Sequence, residues 1–289
     1  MGPPVSAAWR RPLTDMNLKS LGYRTDLIFP SFDGEIIDRG DYLVVRSPLN
    51  PTFYWGNFLL FARPPQAGDF ERWRGVFSRE IGDPPEVEHQ AFGWDGTDGE
   101  VGMVEPFVRA GFGLERNGTL TTSEPRPPTR PAANVVVREL DLTDELEPVI
   151  ALQVLCRDEG HEEAGYRLFR QDAMRRYGKM EAAGLGHWYA AFLDGQLVAD
   201  LGVFHDGRGL GRYQAVETHP DYRRRGIAGT LVYEAGRRAI AEHGLHTLVI
   251  VAEDDSSPSR LYQSVGFEPT EKSAGLLWWE GRPKEAAWK

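Results

Sequence analysis

The sequence predicts a mixed α/β protein built as two domains, and three observations predict it. Strand-like apolar runs alternate with amphipathic helical stretches, the pattern of sheet covered by helices. The chain has 289 residues, of which 41% are hydrophobic, and single cores rarely grow beyond roughly 250 residues. A proline cluster, SEPRPPTRPA at 123–132, breaks the pattern near the middle. Its prolines fix the backbone dihedral and remove N–H donors, so neither a helix nor a central strand can pass through it. The expected division is a first domain at 1–122, a linker at 123–133 and a second domain at 134–289.

The elements follow in chain order. Before the linker, YLVVRS (42–47), FYWGNFLLFA (53–62) and EVEHQAFGW (86–94) read as strands. AGDFERWRGVFSREIG (67–82) reads as an amphipathic helix and EVGMVEPFVRAGF (100–112) as a short one. After it, NVVVREL (134–140) is a strand, and two stretches, 144–160 and 166–184, carry apolar residues at helical spacing. A hairpin at 187–204 turns at Asp194-Gly195. The strand RYQAVETH (212–219), the helix 227–244, the strand TLVIVAE (247–253), the short helix 258–267 and a closing strand at 275–281 complete the chain. PFVRAGFGLE (106–115) and LYQSVGFEPT (261–270) share a short aromatic helix closed by Gly-Phe, and the helix, strand, helix order before each corresponds. That repeat points to a duplicated fold in which the first half is a worn copy of the second.

Composition excludes several classes. The net charge is −10, so the summed field repels phosphate backbones and nucleic acid is not the expected ligand. A single cysteine, Cys156, precludes an internal disulfide framework and a cysteine-based metal cluster. No run approaches the roughly 18 apolar residues of a membrane span, and the start lacks the apolar centre of a secretory signal. The expected location is cytoplasmic, with no membrane partner. MGPPVS at the start fits the loose N-myristoylation pattern, with nothing else beside it pointing to a membrane.

The stretch DYRRRGIAGTL (221–231) concentrates positive charge in this acidic chain. A strand ending at His219-Pro220 leads into a loop whose glycines let backbone approach a ligand. The helix that follows aims its unpaired N–H groups at the same spot, forming an anion site. Arg223, Arg224 and Arg225 add charge suited to phosphate. The alternative is a solvated basic turn before an ordinary surface helix.

Arg223-Arg224-Arg225-Gly226-Ile227-Ala228 resembles the Q/R-x-x-G-x-G/A signature of the GNAT N-acetyltransferase superfamily. VETHPDY before it resembles that family's strand-four ending, and DDSSPSRLYQSVGF, about forty residues on, resembles its second hallmark. The resemblance covers 134–289 and implies a mostly antiparallel central sheet flanked by helices. It also implies acetyl-coenzyme A as co-substrate. By resemblance, Arg223, Arg224, Arg225, Gly226, Ile227, Ala228, Gly229 and Thr230 hold the pyrophosphate. Val216, Glu217 and Thr218 pair with the pantetheine arm in a gap between splayed strands, and Tyr262 donates a proton to the departing thiolate. Two positions depart from the family: Asp255 stands where Asn is usual, and Pro258 where Ala is common. Aspartate cannot donate as an amide does, which puts a side-chain contact of Asp255 to the pantetheine arm in doubt.

An amine with a pKa near 10.4 needs a base to attack at pH 7. Glu217 is the preferred base, directly or through one water, although strict alternation with Val216 and Thr218 would turn it to the wrong face unless a bulge reorients it. His219, His205 and Asp200 are the other candidates. The connection CRDEGHEEAGY (156–166) carries Asp158, Glu159, Glu162 and Glu163, which either attract a cationic amine or simply favour a helix start. His161 within it reads as exposed. Phe53, Tyr54 and Trp55 could line a cleft and by default read as core or a domain contact, with core preferred. The histidines show no ligand spacing, so no metal is expected. In the first domain RPPQ (63–66) replaces the arginine and glycine turn, and its prolines leave no coenzyme site there. The combined reading is an acetyl-coenzyme A-dependent N-acetyltransferase acting on a primary amine of a small molecule by direct attack in a ternary complex, with a homodimer compatible. The rival is a non-catalytic acyl-coenzyme A-binding regulator or scaffold.

Overall fold

The computed structural model describes residues 18–158 and 160–281. The myristoylation-like start and Glu159 lie outside them. Two short helices open the described chain, α1 (Leu21–Asp26) and α2 (Ile28–Asp33). The first half continues with β1 (Glu35–Asp38), β2 (Tyr42–Arg46), β3 (Phe58–Phe61), α3 (Asp69–Glu80), β4 (His89–Trp94), α4 (Glu105–Arg109) and β5 (Gly113–Thr122). The second half holds β6 (Val135–Glu139), α5 (Leu146–Leu155), α6 (Glu163–Ala182), β7 (Gly186–Leu193), β8 (Gln196–His205), β9 (Leu210–Thr218), α7 (Ile227–His243), β10 (Thr247–Glu253), α8 (Ser257–Ser264) and β11 (Glu268–Trp279).

All the strands join one sheet in the order β1-β2-β3-β4-β11-β5-β10-β9-β8-β7-β6. Its pairings are antiparallel except β3 with β4 and β9 with β10. The last strand of each half sits in the other half's territory. β11 lies between β4 and β5, and β5 lies between β11 and β10. On either side of this central pair the order repeats in reverse, with β4 matching β10 and β3 matching β9. The repeated segments 106–115 and 261–270 fall at equivalent places, α4 leading into β5 and α8 into β11. The proline linker therefore divides the chain without dividing the sheet.

Helices cover both faces of the sheet. In the second half Leu201, Val203, Tyr213 and Ile250 pack under Leu231 and Val232 of α7. On the opposite face Trp188, Ala190 and Phe204 meet Val149 of α5 and Met174 and Tyr177 of α6, and Ile28 and Phe29 of α2 join that cluster. The first half packs α3 and α4 through Trp73, Phe77 and Phe107 onto Phe61, Phe92 and Trp94. The Phe61 and Trp73 rings lie 3.8 Å apart at an interplanar angle of 5°, the large aromatic burial typical of core. Helix α1 is too short to persist by propensity and is held from outside. Glu271 of β11 accepts from the Leu21 N–H at 2.8 Å, and Asp95 accepts from the Ser20 N–H at 2.8 Å. No helix among the described residues is long and apolar enough to cross a membrane.

Candidate active site

Strand β9 pairs with β10 only over Leu210–Arg212, opposite Thr247–Val249. Beyond Arg212 the two strands separate while each keeps its other partner, β8 for β9 and β5 for β10. The result is a wedge open toward the C-terminal ends of both strands. At its narrow part β9 carries a bulge: Gly202 of β8 faces Gln214 and Asp200 faces Glu217, so three steps on β9 match two on β8. Ala215 takes up the extra residue with φ of 46°, an uncommon conformation for a residue with a Cβ. The bulge resets the alternation. Val216 turns to the core beneath α7, while Glu217 joins Gln214 and Asp200 on the face of α5 and α6. The reorientation on which the base assignment depended is therefore present.

Glu217 stands among groups from three elements. Arg170 of α6 places Nη2 4.0 Å from its Oε1, and the buried Arg170 guanidinium lies over the rings of Tyr166 and Phe169. Burial raises the Glu217 carboxyl above the usual range, against the lowering pull of Arg170 and Arg223 and a hydrogen bond from Cys156. The Cys156 thiol donates to the Thr218 carbonyl at 3.4 Å. Burial, with the charge of Glu217, pushes it up to about 12, so it is no thiolate nucleophile at neutral pH. Asp200 is fully buried, with Oδ1 accepting from Gln153 Nε2 at 3.1 Å. Burial holds its carboxyl well above the usual range. His219 Nδ1 accepts from the Asp221 N–H at 3.2 Å and shapes the turn. His205 lies at the far end of β8 against Gly184, away from Glu217.

The wedge leads to the N-terminus of α7. Arg224 and Gly226 are left-handed, with φ of 61° and 79°. This pair of turns lets the amides from Gly226 to Gly229 emerge at the helix start, where none finds an acceptor among the described residues. The Arg223 Nε donates to the Thr218 carbonyl at 3.1 Å, and Arg225 donates to the Asp221 carbonyl at 3.0 Å. Arg224 is exposed. The Thr230 hydroxyl accepts from the Ala132 N–H at 2.9 Å. Here the linker intervenes. It runs in the groove between α7 and α8, with the Arg126 N–H donating to the Val265 carbonyl at 2.8 Å, and a Cβ on Gly226 would collide with the Arg130 carbonyl.

Tyr262 of α8 is 6% exposed in the core below the wedge. Burial, and next the charge of Glu217, hold its phenol above the ordinary value. Asp255 is exposed and left-handed, and the α8 cap is Ser256, whose hydroxyl accepts from the Ser259 N–H. A GNAT acetyltransferase domain model matches residues 184–269, the stretch that holds the bulge, the wedge, the loop and Tyr262.

The chain carries a GNAT domain.

No curated protein matches it by sequence. Among solved structures, a conserved protein of unknown function from Staphylococcus epidermidis has a TM-score of 0.68 at 12% identity, covering 94% of this chain and 98% of that one. A GCN5-related N-acetyltransferase from Kribbella flavida has a TM-score of 0.59 at 17% identity over 89% and 95%. A tandem GNAT protein from the clavulanic acid biosynthesis pathway has a TM-score of 0.53 at 13% identity over 89% and 88%. At these identities the likeness establishes the fold.

A cavity of about 340 Å³ opens on the α6 face of the GNAT domain, where Gln214 of β9 and Val251 of β10 both line it. Its far wall comes from the first half, including Tyr23, Phe53, Trp55 and Phe58. Phe53 and Trp55 face this space, while Phe53 also packs on Phe169 of the second half and Trp55 against the first-half core. Tyr54 instead stacks on His89. His161 is not exposed either: it is half-buried, with its ring 5.8 Å from Trp279. Of the acidic connection, Glu162 caps α6 through the Ala164 and Gly165 amides and Glu163 pairs with Arg157 at 3.0 Å.

Two buried arginines at this cavity escaped sequence reasoning. Arg212 pairs with Asp26 at 2.6 Å and donates to Thr25. Arg176 places Nε 2.6 Å from Asp33, while its Nη2 is buried without a hydrogen-bond partner. For Arg176, and for Arg170 on the same helix, the available signal was a buried position on α6, with Arg170 at the spacing of Met174 and Tyr177; Arg212 lies in strand β9. In RPPQ of the first half, Asp69 Oδ2 accepts from the Gln66 N–H and from Arg63, so a side-chain carboxylate already occupies the α3 start.

Proposed function

We propose that this protein transfers an acetyl group from acetyl-coenzyme A to a primary amine of a small molecule seated in the cavity between its halves. The observation that carries the reading is the separation of β9 from β10 beyond Arg212, between the open α7 start on one side and the cavity on the other. The amides of Gly226, Ile227, Ala228 and Gly229 with Arg223, Arg224 and Arg225 bind pyrophosphate. Val216, Glu217 and Thr218 on the unpaired edge of β9 receive the pantetheine arm. Asp255 is exposed and leaves this role to the backbone.

In this reading Glu217 accepts the amine proton. Its environment supports that role: burial raises its pKa toward the working range while Arg170 keeps it ionisable. Nitrogen then attacks the acyl carbon, the carbon–sulfur bond breaks, and Tyr262 supplies the proton taken up by the leaving thiolate. Cys156 is held as a thiol, so the attack is direct. The aromatic wall and the volume fit a small acceptor. The unpartnered Nη2 of Arg176 fits one bearing a carboxylate or other anion beside its amine.

The test is incubation of purified protein with acetyl-coenzyme A and a panel of amines, with and without an acidic group, following thiol release while calorimetry measures coenzyme binding. Release with acidic amines is expected. Coenzyme binding with no release on any amine would establish the rival reading instead, a non-catalytic acyl-coenzyme A-binding module.

A further inference from the structure

A second cluster of ionisable side chains lies at the opposite end of α7. His187 begins near the start of β7, and Glu242 and His243 close α7. An α-helix of 17 residues spans about 25 Å, so this cluster stands well apart from Gly226. The ligand atoms of the three residues all lie within 4.8 Å of one another. His187 Nε2 is 3.0 Å from Glu242 Oε1, and His243 Nε2 is 4.0 Å from the same oxygen. The two imidazoles stack at 5.6 Å with an interplanar angle of 19°.

We propose that His187, Glu242 and His243 bind one divalent transition-metal ion of the zinc class.

A simple ion pair between His187 and Glu242 accounts for two of the three residues and leaves the third unexplained. His243 Nε2 is buried and has no hydrogen-bond partner, an arrangement that folded proteins avoid. A shared cation satisfies it. Zinc bonds of about 2.0–2.2 Å to nitrogen and oxygen place neighbouring tetrahedral ligand atoms roughly 3.3–3.5 Å apart, so closing the site needs shifts of about an ångström on the His243 side. Glu242 is 46% exposed at its side chain, leaving an open position for water. The helix C-terminus adds a favourable field for a cation.

His205 packs 4.5 Å from His243 but is not a fourth ligand. Its Nδ1 accepts from the Gly207 N–H and its Nε2 meets the Gly184 carbonyl, so both ring nitrogens are spent. It serves as a wall that fixes the His243 ring. Two imidazoles and a carboxylate suit zinc, cobalt and nickel rather than calcium or magnesium.

The experiment uses the untagged full-length chain, stripped with chelator and dialysed. Zinc titration by calorimetry should give saturable one-to-one binding, and cobalt should give the visible bands of a four-coordinate ion. Glu242→Gln and His243→Ala should each weaken zinc at least about tenfold, the loss known even for partners outside the coordination shell, while His246→Ala should retain wild-type affinity. If either variant fails to fold, the partly exposed His187→Gln replaces it. Absence of saturable binding by the wild type would overturn the proposal, as would equal affinity in folded variants of these residues.

Discussion

Glu217 is held in two opposing ways, and the balance predicts a pH profile. Burial favours its neutral form and Arg170 its charged one, and the net direction is upward. A base must be deprotonated to work, so activity should rise with pH through this raised value, with the acid limb of kcat/KM above the ordinary carboxylate range. Glu217→Gln should lower kcat by about a hundredfold or more and erase that limb while coenzyme affinity stays near wild type; an unchanged limb would assign it to another group. Tyr262→Phe should likewise reduce kcat at near-normal coenzyme binding, and a rate unchanged across pH would dismiss the proton donor. Arg176→Met should raise KM for acidic amines while leaving neutral amines little changed. Equal effects on both would remove Arg176 from acceptor choice. The loop before α7 was legible in sequence, because its glycines and arginines are adjacent. Arg170 and Arg176 were not, since a helical arginine reads as surface until the strand it faces is known.

At the level of elements, α7 depends on a residue outside itself. Gly226 has a left-handed φ and also touches the linker backbone, so Gly226→Val meets two penalties: the conformational strain alone is about 1–3 kcal/mol, and the Arg130 carbonyl must move as well. Coenzyme binding should be lost together with a fall in thermal midpoint. Loss of binding with no change in midpoint would locate the whole effect in the phosphate contact. The long helices and the strands of the second half were readable from periodicity. Helices α1 and α2 and strand β1 were not, and α1 is fixed by Glu271 and Asp95 from distant parts of the chain rather than by its own six residues. β11 was recognised only at its apolar end. Its first part, from Glu268, is largely exposed and shifts register between Pro269 and Glu271, which hides the alternation that marks a strand.

The molecule as a whole turns on the exchange of β5 and β11. β11 buries Ala274 and Leu276 in the first half's layer and β5 buries Leu120 in the second half's, and β10 keeps a partner on its outer edge only because β5 comes from before the linker. No single-sequence signal reports such an exchange, since pairing between residues 113–122 and 247–253 looks the same from each segment's composition as pairing within a half. The exchange predicts that the two halves unfold as one unit. A fragment beginning at residue 126 loses β5 and therefore leaves facing edges of β10 and β11 unpaired, a condition that invites aggregation. It also loses the aromatic wall of the cavity. Such a fragment should be insoluble or lack a cooperative transition, whereas co-expression of 1–125 with 126–289 should return a soluble complex with thiol-release activity. A monomeric, cooperatively folding 126–289 fragment would mean that the second half can rebuild its sheet without β5. In that case retained activity would make the first half dispensable to catalysis, and activity lost with coenzyme binding intact would confine its role to the acceptor.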